Sequence, residues 1–208
     1  MSQARLIALD WGTSSLRAYL LGEVGTVVEQ RHRPWGLLHL PEGGFAAALR
    51  GMAGDWLDAL PALPLIASGM VGSTQGWREA PYAECPAEAA ALAVQLQRFE
   101  ALPGVMLHIV PGVRRGGPRP DVMRGEETQV VGLLALQPAL AERATLVMPG
   151  THSKWVRVQA GRIVDFHTYM TGELYDLLRK HGTLAAAAGG QATWDDAAFA
   201  AGVDAAGH

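Results

Sequence analysis

The chain opens with three short segments typical of strands: the first is a continuous apolar run, and the second alternates hydrophobic and polar residues. We predict strands over residues 4–10, 15–21 and 26–33. Residues that favour turns, chiefly Gly and Ser, separate these strands at 11–14 and 22–25. The order predicts a meander of three antiparallel strands.

The pattern then changes to apolar residues spaced three and four positions apart, which is typical of an amphipathic helix. Residues 44–60 show this spacing, and two prolines end the segment. The next predicted elements are a strand over 64–67, a loop over 68–86, a helix over 87–99, a strand over 105–110, a loop over 111–123 and a helix over 126–136. Alternating strands and helices favour parallel pairing, so we expect a mixed α/β sheet.

The meander pattern begins again after residue 144. The predicted elements are strands over 145–148, 154–159 and 162–169, a helix over 172–181, an Ala- and Gly-rich connection from Thr183, and a short helix around 194–201. The chain therefore repeats the opening of its first unit. We expect a complete first lobe over residues 1–140 and the beginning of a second, incomplete lobe over 141–208.

Composition narrows the class of protein. The 208 residues are 49% hydrophobic and 18% charged, which predicts a globular fold. The net charge of −3 disfavours a nucleic-acid partner, because proteins that bind nucleic acids usually carry a basic surplus. Apolar segments fall far short of the roughly 18 residues of a membrane-spanning helix, so no membrane partner is expected. The single cysteine, Cys85, favours a cytoplasmic location.

The turn between the first two predicted strands is a candidate phosphate site. Asp10 ends a strand, and Gly12, Thr13 and Ser14 follow it. Backbone N–H groups and hydroxyls in such a turn can bind phosphate, and a carboxylate at the strand end can hold Mg²⁺. Asp10 is therefore also the candidate metal ligand. An ordinary hairpin turn would contain the same residue types, so that alternative stays open.

A similar turn stands at the equivalent place in the second meander. It contains Gly150, Thr151, His152, Ser153 and Lys154. Two such turns facing each other across a cleft between lobes are what a nucleotide phosphotransferase requires. Both turns are therefore candidate phosphate- and nucleotide-binding segments.

Two adjacent glutamates, Glu126 and Glu127, open the predicted helix over 126–136. Phosphoryl transfer to a hydroxyl group needs a carboxylate that accepts or orients the proton, so either residue is a candidate catalytic base. The alternative is that both merely stabilise the start of the helix through its dipole. Arg124, just before them, could bind a carboxylate or phosphate of the substrate, or could be an ordinary surface residue.

The loop over 68–86 is the candidate substrate pocket, because ligands of open α/β sheets bind at the carboxyl ends of strands. Ser73, Gln75 and Trp77 are its candidate substrate-binding residues; the alternative is a structural loop that covers a hydrophobic face. The sequence has neither a P-loop nor a Gly-x-Gly-x-x-Gly motif after the first strand, and its histidines lack the spacing of a zinc site.

Several motifs occur in an order that resembles the 2-dehydro-3-deoxygalactonokinase family. They are DWGTS at 10–14, GMVGS at 69–73, APY at 80–82, RGEETQ at 124–129, PGTHSKW at 149–155 and TGEL at 171–174. The resemblance covers essentially the whole chain. It implies a ribonuclease-H-like (actin-like ATPase) fold, the use of ATP and Mg²⁺, and phosphorylation of the 6-hydroxyl of 2-dehydro-3-deoxy-D-galactonate in galactonate catabolism.

The resemblance also implies roles for individual residues. Residues 10–14 would form the first phosphate motif and 150–154 the second. Glu127 is favoured as the base over Glu126, because the pair takes the place of Asn-Asp before Thr in hexokinase-like relatives. Family members continue past the position of His208 through the rest of the second lobe and the segment that holds adenosine, so we expect a C-terminally truncated chain.

Two other functions and two further questions stay open at this point. A non-catalytic, sugar-acid-binding remnant without an adenosine site is the main alternative to the kinase. A nuclease of ribonuclease-H topology is less favoured, because it needs several clustered carboxylates. The galacto or gluco configuration of the substrate is undecided. The unpaired edges of an incomplete sheet favour a homo-oligomer.

Overall fold

The computed structural model describes residues 4–183 and 195–207. The strands are β1 (Leu6–Trp11), β2 (Leu16–Leu21), β3 (Val27–Arg33), β4 (Leu65–Ser68), β5 (Tyr82–Glu84), β6 (Gln97–Leu102), β7 (Val105–Ile109), β8 (Gly112–Arg115), β9 (Asp121–Met123), β10 (Arg143–Met148), β11 (Ser153–Gln159) and β12 (Arg162–Tyr169). The helices are α1 (Gly44–Ala59), α2 (Ala89–Ala93), α3 (Glu126–Leu136), α4 (Gly172–His181) and α5 (Asp196–Ala206). In these described ranges, every helix is too short or too polar to cross a bilayer.

The largest sheet has the strand order β3-β2-β1-β4-β7-β6. Strands β1 to β3 form the predicted antiparallel meander, and β4 and β7 extend it in parallel. In the register, Asp10 stands opposite Arg17 on β2 and beside Ser68 on β4. This mixed sheet confirms the ribonuclease-H-like, actin-like α/β class. It also brings the carboxyl ends of β1 and β4 to one edge, where the sequence predicts a ligand site.

The first hydrophobic core lies between this sheet and α1. Alternate β1 residues, Ile7, Leu9 and Trp11, are buried on the face that α1 covers. From α1, Leu49 and Trp56 are among the buried residues that meet them. Burying a side chain of this size stabilises the fold by roughly 1.5–3 kcal/mol, so the two periodicities explain why these elements pack together.

A second core lies under two three-stranded sheets, β10-β11-β12 and β5-β8-β9. Its buried residues are Ala83, Ala87, Leu92, Val113, Met123, Val130, Val156, Val158, Ile163 and Phe166. Ala87 and Ile163 also exchange two backbone hydrogen bonds, of 3.0 and 2.8 Å. Residues on both sides of position 140 therefore share one core, although the expected lobe boundary lies there.

Three predicted elements differ in the structure. The helix expected over 87–99 is confined to Ala89–Ala93, because Gln97–Leu102 instead pairs with β7 and directs Phe99 toward the first core. The loops expected over 68–86 and 111–123 contain the short strands β5, β8 and β9. Long-range pairing overrides local propensity in these segments. The expected connection after Thr183, up to and including Trp194, lies outside the described residues, and α5 matches the short C-terminal helix.

Candidate active site

A cleft of about 330 Å³ opens beside the carboxyl ends of β1 and β4. It is lined by Asp10, Gly12, Thr13, Arg17, Gly69, Met70, Arg124, Gly125, Glu126, Gln129, Met148, Pro149, Gly150, Thr151 and His152. Both predicted phosphate turns and the start of α3 therefore line one cleft, although the sequence analysis predicted these three segments independently.

Close backbone approaches form the floor of this cleft. Gly69 has φ of 96°, and a Cβ there would lie 2.7 Å from the carbonyl oxygen of Trp11. Gly125 has φ of 114°, and its Cβ would lie 3.2 Å from the Cα of Gly69. Only glycine fits both the left-handed backbone and the limited space. These two glycines let the ends of β1 and β4 meet the start of α3.

The first turn is held by the backbone that follows β3. The N–H groups of Leu37 and Leu38 donate to the carbonyl oxygens of Gly12 and Thr13, each over 3.0 Å. A Cβ on Gly36 would lie 2.3 Å from the nitrogen of Ser15, so this returning segment lies directly against the turn. We call residues 35–38 the first brace.

The second turn is held by the backbone that follows β12, in the same way. The N–H groups of Gly172 and Glu173 donate to the carbonyl oxygens of Gly150 and Thr151, over 3.2 and 3.0 Å. A Cβ on Gly172 would lie 2.6 Å from the oxygen of Gly150. We call residues 171–173 the second brace. The two turns are therefore equivalent in hydrogen bonding as well as in position.

Both turns present unused donors to the cleft. Thr13 and Thr151 line it, and neither the N–H group nor the hydroxyl of either residue bonds to another described residue. Their carbonyl groups, in contrast, are both occupied by the braces. Free N–H and hydroxyl donors in a turn of this kind suit an anion such as phosphate.

Lys154 does not contribute to the cleft. It is buried on the same side of β11 as Val156 and Val158, and its Nζ donates to Val122 O and Thr168 Oγ1, both over 2.7 Å. Lys154 therefore does not line the cleft with the rest of the second turn, as its predicted phosphate contact would require. The alternating burial of β11 accounts for this, because a residue two positions before an inward valine also points inward.

Two predicted serines are also outside the cleft lining. Ser14 is exposed at the tip of the first turn. Ser153 is buried, and its Oγ lies 2.5 Å from the hydroxyl of Thr171 in the second brace. Ser153 thus links the second turn to the second brace instead of facing the cleft.

Asp10 and Arg17 form an ion pair in the cleft wall, with 3.0 Å between Oδ2 and Nη1. The sequence reasoning missed Arg17, although the hairpin register places it opposite Asp10. The described residues contain no cluster of three or more potential metal ligands. Mg²⁺ that accompanies phosphates is commonly held through only one or two carboxylates, and the half-exposed Asp10 carboxylate fits that mode.

The two glutamates have different surroundings. Glu126 lines the cleft, where its Oε2 accepts a hydrogen bond from the N–H of Arg124 over 3.1 Å. Glu127 is fully buried, and its oxygens accept from the N–H of Gly125 over 2.9 and 2.7 Å. Burial raises the pKa of Glu127 to about 7, although these hydrogen bonds oppose the shift. Only Glu126 reaches the cleft surface in the structure.

Arg124 brings a partly unsatisfied guanidinium to the cleft. Its Nη2 donates to Ala80 O over 2.8 Å, and its Cζ lies 4.2 Å from the centre of the Tyr82 ring. Its Nε and Nη1 are buried and have no hydrogen-bond partner among the described residues, and the Oγ of Ser73 is in the same condition. Unmade bonds of buried donors are unfavourable, so an acceptor that reached Arg124 would be bound strongly.

The other predicted substrate residues, Ser73 among them, lie outside the cleft lining. Trp77 packs against Trp11, Phe45 and Phe99, with ring centres 5.3–6.0 Å apart, and so belongs to the first core. Gln75 is exposed outside the cleft lining. Trp77 therefore has the structural role given as the alternative for this loop: it covers a hydrophobic face, and aromatic packing determines its position.

Comparison with known proteins gives consistent matches. The family model described as 2-keto-3-deoxy-galactonokinase matches residues 10–208. DgoK1 of Rhizobium meliloti (strain 1021), named a probable 2-dehydro-3-deoxygalactonokinase, is 43% identical over 201 residues, which cover 91% of this chain and 63% of DgoK1. The 2-dehydro-3-deoxygalactonokinase of Escherichia coli (strain K12) is 39% identical over 202 residues, covering 97% and 65%.

A solved structure gives the same result. The crystal structure of a Sinorhizobium meliloti protein, solved as a candidate 2-dehydro-3-deoxygalactonokinase, superposes with a TM-score of 0.73 at 42% identity, covering 88% of this chain and 60% of that one. The chain spans just under two thirds of the length of the curated relatives that it matches. The family match extends over nearly all of its residues, and the chain therefore belongs to the 2-keto-3-deoxy-galactonokinase family.

Proposed function

We propose that the chain acts in the ATP-dependent phosphorylation of 2-dehydro-3-deoxy-D-galactonate on its 6-hydroxyl, in galactonate catabolism. One observation carries the proposal. A carboxylate, an arginine and two equivalent turns with unused hydrogen-bond donors all line the same cleft. Phosphoryl transfer depends mainly on positioning and charge stabilisation, and this cleft supplies both. The names of the relatives support the same reaction.

The nucleotide phosphates would bind between the two turns. Gly12 and Thr13 provide one side, and Gly150, Thr151 and His152 provide the other. Mg²⁺ at Asp10, when bound, would neutralise charge on the phosphates. Arg17 holds the Asp10 carboxylate at the edge of the sheet, so that this oxygen ligand has a fixed position.

The sugar acid would bind beside Arg124. The positive charge of Arg124, which lines the cleft, would attract the carboxylate of the sugar acid. The Nε and Nη1 donors are buried and have no partner among the described residues, so they would bind the carboxylate only after the side chain exposes them to the cleft. Stacking on Tyr82 fixes the plane of the guanidinium. The Ser73 hydroxyl also lacks a partner among the described residues, but it is buried outside the cleft lining and is not assigned to this ligand.

We assign Glu126 as the residue that accepts the hydroxyl proton, because its side chain lines the cleft beside Arg124. Glu127, which the family resemblance favours, lies behind Gly125 and is the alternative base. Its pKa of about 7 would suit a proton acceptor at neutral pH. Substituting the two residues separately distinguishes the assignments.

The test is ADP release from MgATP in the presence of 2-dehydro-3-deoxygalactonate. It is run with this chain and with a chain extended by the remaining third of a relative. Glu126→Gln should lower kcat about 100-fold or more, whereas Asp58→Asn, at a surface ion pair of α1, should leave kcat unchanged. If the extended chain shows no turnover, the proposal is overturned.

Calorimetry on the same chain separates the kinase from its main alternative. Binding of the sugar acid without binding of MgATP would indicate a sugar-acid-binding remnant. Comparing the galacto- and gluco-configured acids in that experiment determines the substrate preference. The proposal includes two lobes that meet at the cleft and a cytoplasmic location, and light scattering tests the expected self-association.

A further inference from the structure

The second turn has a side-chain pair in the cleft wall that the first turn lacks. The Nε2 of His152 lies 2.5 Å from Oε2 of Glu173, the third residue of the second brace. The two side chains are 45% and 40% exposed, and His152 lines the cleft. Glu173 has no role in the proposed mechanism so far.

The His152–Glu173 pair is not needed to hold the turn in place. In the first turn, Ser14 and Leu38 occupy the positions equivalent to His152 and Glu173, and no side-chain hydrogen bond between them supplements the two backbone bonds there. The first turn nevertheless has the same backbone arrangement. The additional pair in the second turn therefore needs an explanation other than the shape of the turn.

We propose that Glu173 is a positioning residue that orients the imidazole of His152 for contact with a phosphate group in the cleft. The carboxylate takes the N–H at Nε2, which leaves Nδ1 as the ring nitrogen for a ligand. Nδ1 can donate to a phosphate oxygen only when it carries a proton, so the proposed contact requires that both ring nitrogens are protonated and donate hydrogen bonds.

The backbone of Glu173 is itself fixed, which makes its carboxylate a suitable support. Its N–H donates to Thr151 O over 3.0 Å, and its neighbour Gly172 donates to Gly150 O over 3.2 Å. The carboxylate also lies in the first turn of α4, where the helix dipole stabilises a negative charge. The inference rests on the proposed function only in naming a phosphate as the ligand.

The first experiment observes the ring directly by NMR of the chain labelled with ¹⁵N-histidine. Long-range ¹H–¹⁵N spectra show which ring nitrogens carry protons, and His152→Gln assigns the signals. We expect the Nε2–H tautomer in the free chain and protonation of both nitrogens after addition of MgADP or inorganic phosphate. The non-phosphorylated sugar acid should not produce this change.

Two substitutions test the part played by Glu173. Glu173→Ala should abolish the tautomer preference and weaken MgADP binding about tenfold, while Glu173→Gln, which still offers an oxygen to Nε2–H, should restore most of both. Asp176→Ala is the control, because it removes another exposed carboxylate of α4, which pairs with Lys180. It should leave the His152 spectrum and MgADP binding unchanged.

Particular results would overturn the inference. They are a His152 spectrum that does not respond to either phosphate probe, or equal effects of Glu173→Ala and Asp176→Ala on MgADP binding. A phosphate response in the spectrum without turnover in the extended chain would leave the inference standing and count against the kinase. Turnover together with an unchanged His152 spectrum in Glu173→Ala would support the kinase and overturn the inference about Glu173.

Discussion

The two turns of the cleft share a backbone arrangement but differ in what supports it. In each, the chain returns after the third strand of a meander and donates two consecutive N–H groups to a Gly–Thr pair. The first brace is apolar and is attached to the first core through the indole N–H of Trp11, which donates to Trp35 O over 2.9 Å. The second brace is the start of α4 and uses polar side chains, among them Thr171.

This difference shows which part of the arrangement the topology determines. Two unrelated brace sequences give the same pair of backbone hydrogen bonds, so the meander and its return determine the shape of the turn. Side chains in the brace are then available for other tasks. In the first brace Trp35 packs against the first core, and in the second Thr171 and Glu173 contact the side chains of Ser153 and His152.

The largest expected effect comes from filling the close contact within each brace. In Gly36→Ala the new Cβ would meet the backbone of Ser14 and Ser15 at 2.3–2.4 Å, and in Gly172→Ala it would meet Gly150 O at 2.6 Å. We expect a loss of roughly 3 kcal/mol in the free energy of unfolding for Gly36→Ala and roughly 1–3 kcal/mol for Gly172→Ala, measured by urea denaturation.

A glycine on α3 provides the matched control for those two variants. No atom of residues 4–183 or 195–207 lies within 4 Å of a Cβ at Gly132, so Gly132→Ala should raise stability by about 0.5–1 kcal/mol. If either brace variant behaved like this control, the close contact at that glycine would not hold its turn.

The next largest effect is a pH dependence of the free energy of unfolding, which should arise from a buried group on the side of the first turn. Glu127 is buried behind Gly125, on the side of the first turn, whereas Lys154 is buried near the second. Between the ordinary pKa of 4.5 and the folded value of about 7, the folded protein binds more protons than the unfolded chain. The free energy of unfolding should therefore fall by about 3 kcal/mol as the pH rises through this window.

Glu127→Gln should remove most of that slope in urea denaturation at pH 5 and pH 8. Glu126→Gln, at the neighbouring position in the cleft wall, is the control and should keep the slope. A slope that persists in Glu127→Gln would show that other groups cause it.

A smaller effect tests whether both turns hold phosphate. The hydroxyls of Thr13 and Thr151 have no partner within the described part of the chain. Thr13→Ala and Thr151→Ala should each weaken MgADP binding about tenfold, as expected for a hydrogen bond to a charged group. Calorimetry measures this, and Thr145→Ala on β10 is the control. Weaker MgADP binding in only one of the two variants would show that only that turn binds phosphate through its threonine.

The smallest effect concerns a bond that only the second brace has. The hydroxyl of Thr171 contacts Gly150 O over 3.3 Å and Ser153 Oγ over 2.5 Å. Thr171→Val should cost about 1 kcal/mol and speed amide hydrogen exchange in the second turn while leaving the first turn unchanged. Equal changes of hydrogen exchange in both turns would contradict the view that each brace stabilises only its own turn.

Local patterns predicted the first meander and its turn because neighbouring residues determine a hairpin. The same reasoning would have found Arg17, since closing the hairpin at Gly12 and Ser15 places it opposite Asp10. The alternation that continues into Val156 and Val158 likewise indicates that Lys154 points inward. These side-chain directions were present in the sequence.

Other features depend on contacts that are distant in sequence. Trp77 is placed by packing against Phe45 and Phe99, and the strand at Gln97–Leu102 is formed by pairing with β7. The burial of Glu127 likewise depends on three-dimensional packing. No local pattern distinguishes Glu127 from Glu126, because both stand at the start of one helix.

The shared second core has a consequence for synthesis of the protein on the ribosome. Among the residues that the structure describes, the first core contains none beyond Ile109, so it can assemble while the rest of the chain is still being made. The second core joins Ala83 to Phe166 and must wait for about half as many residues again. We expect the segment around Ala83 to remain without its partners during that interval, a period in which a nascent chain depends on chaperones.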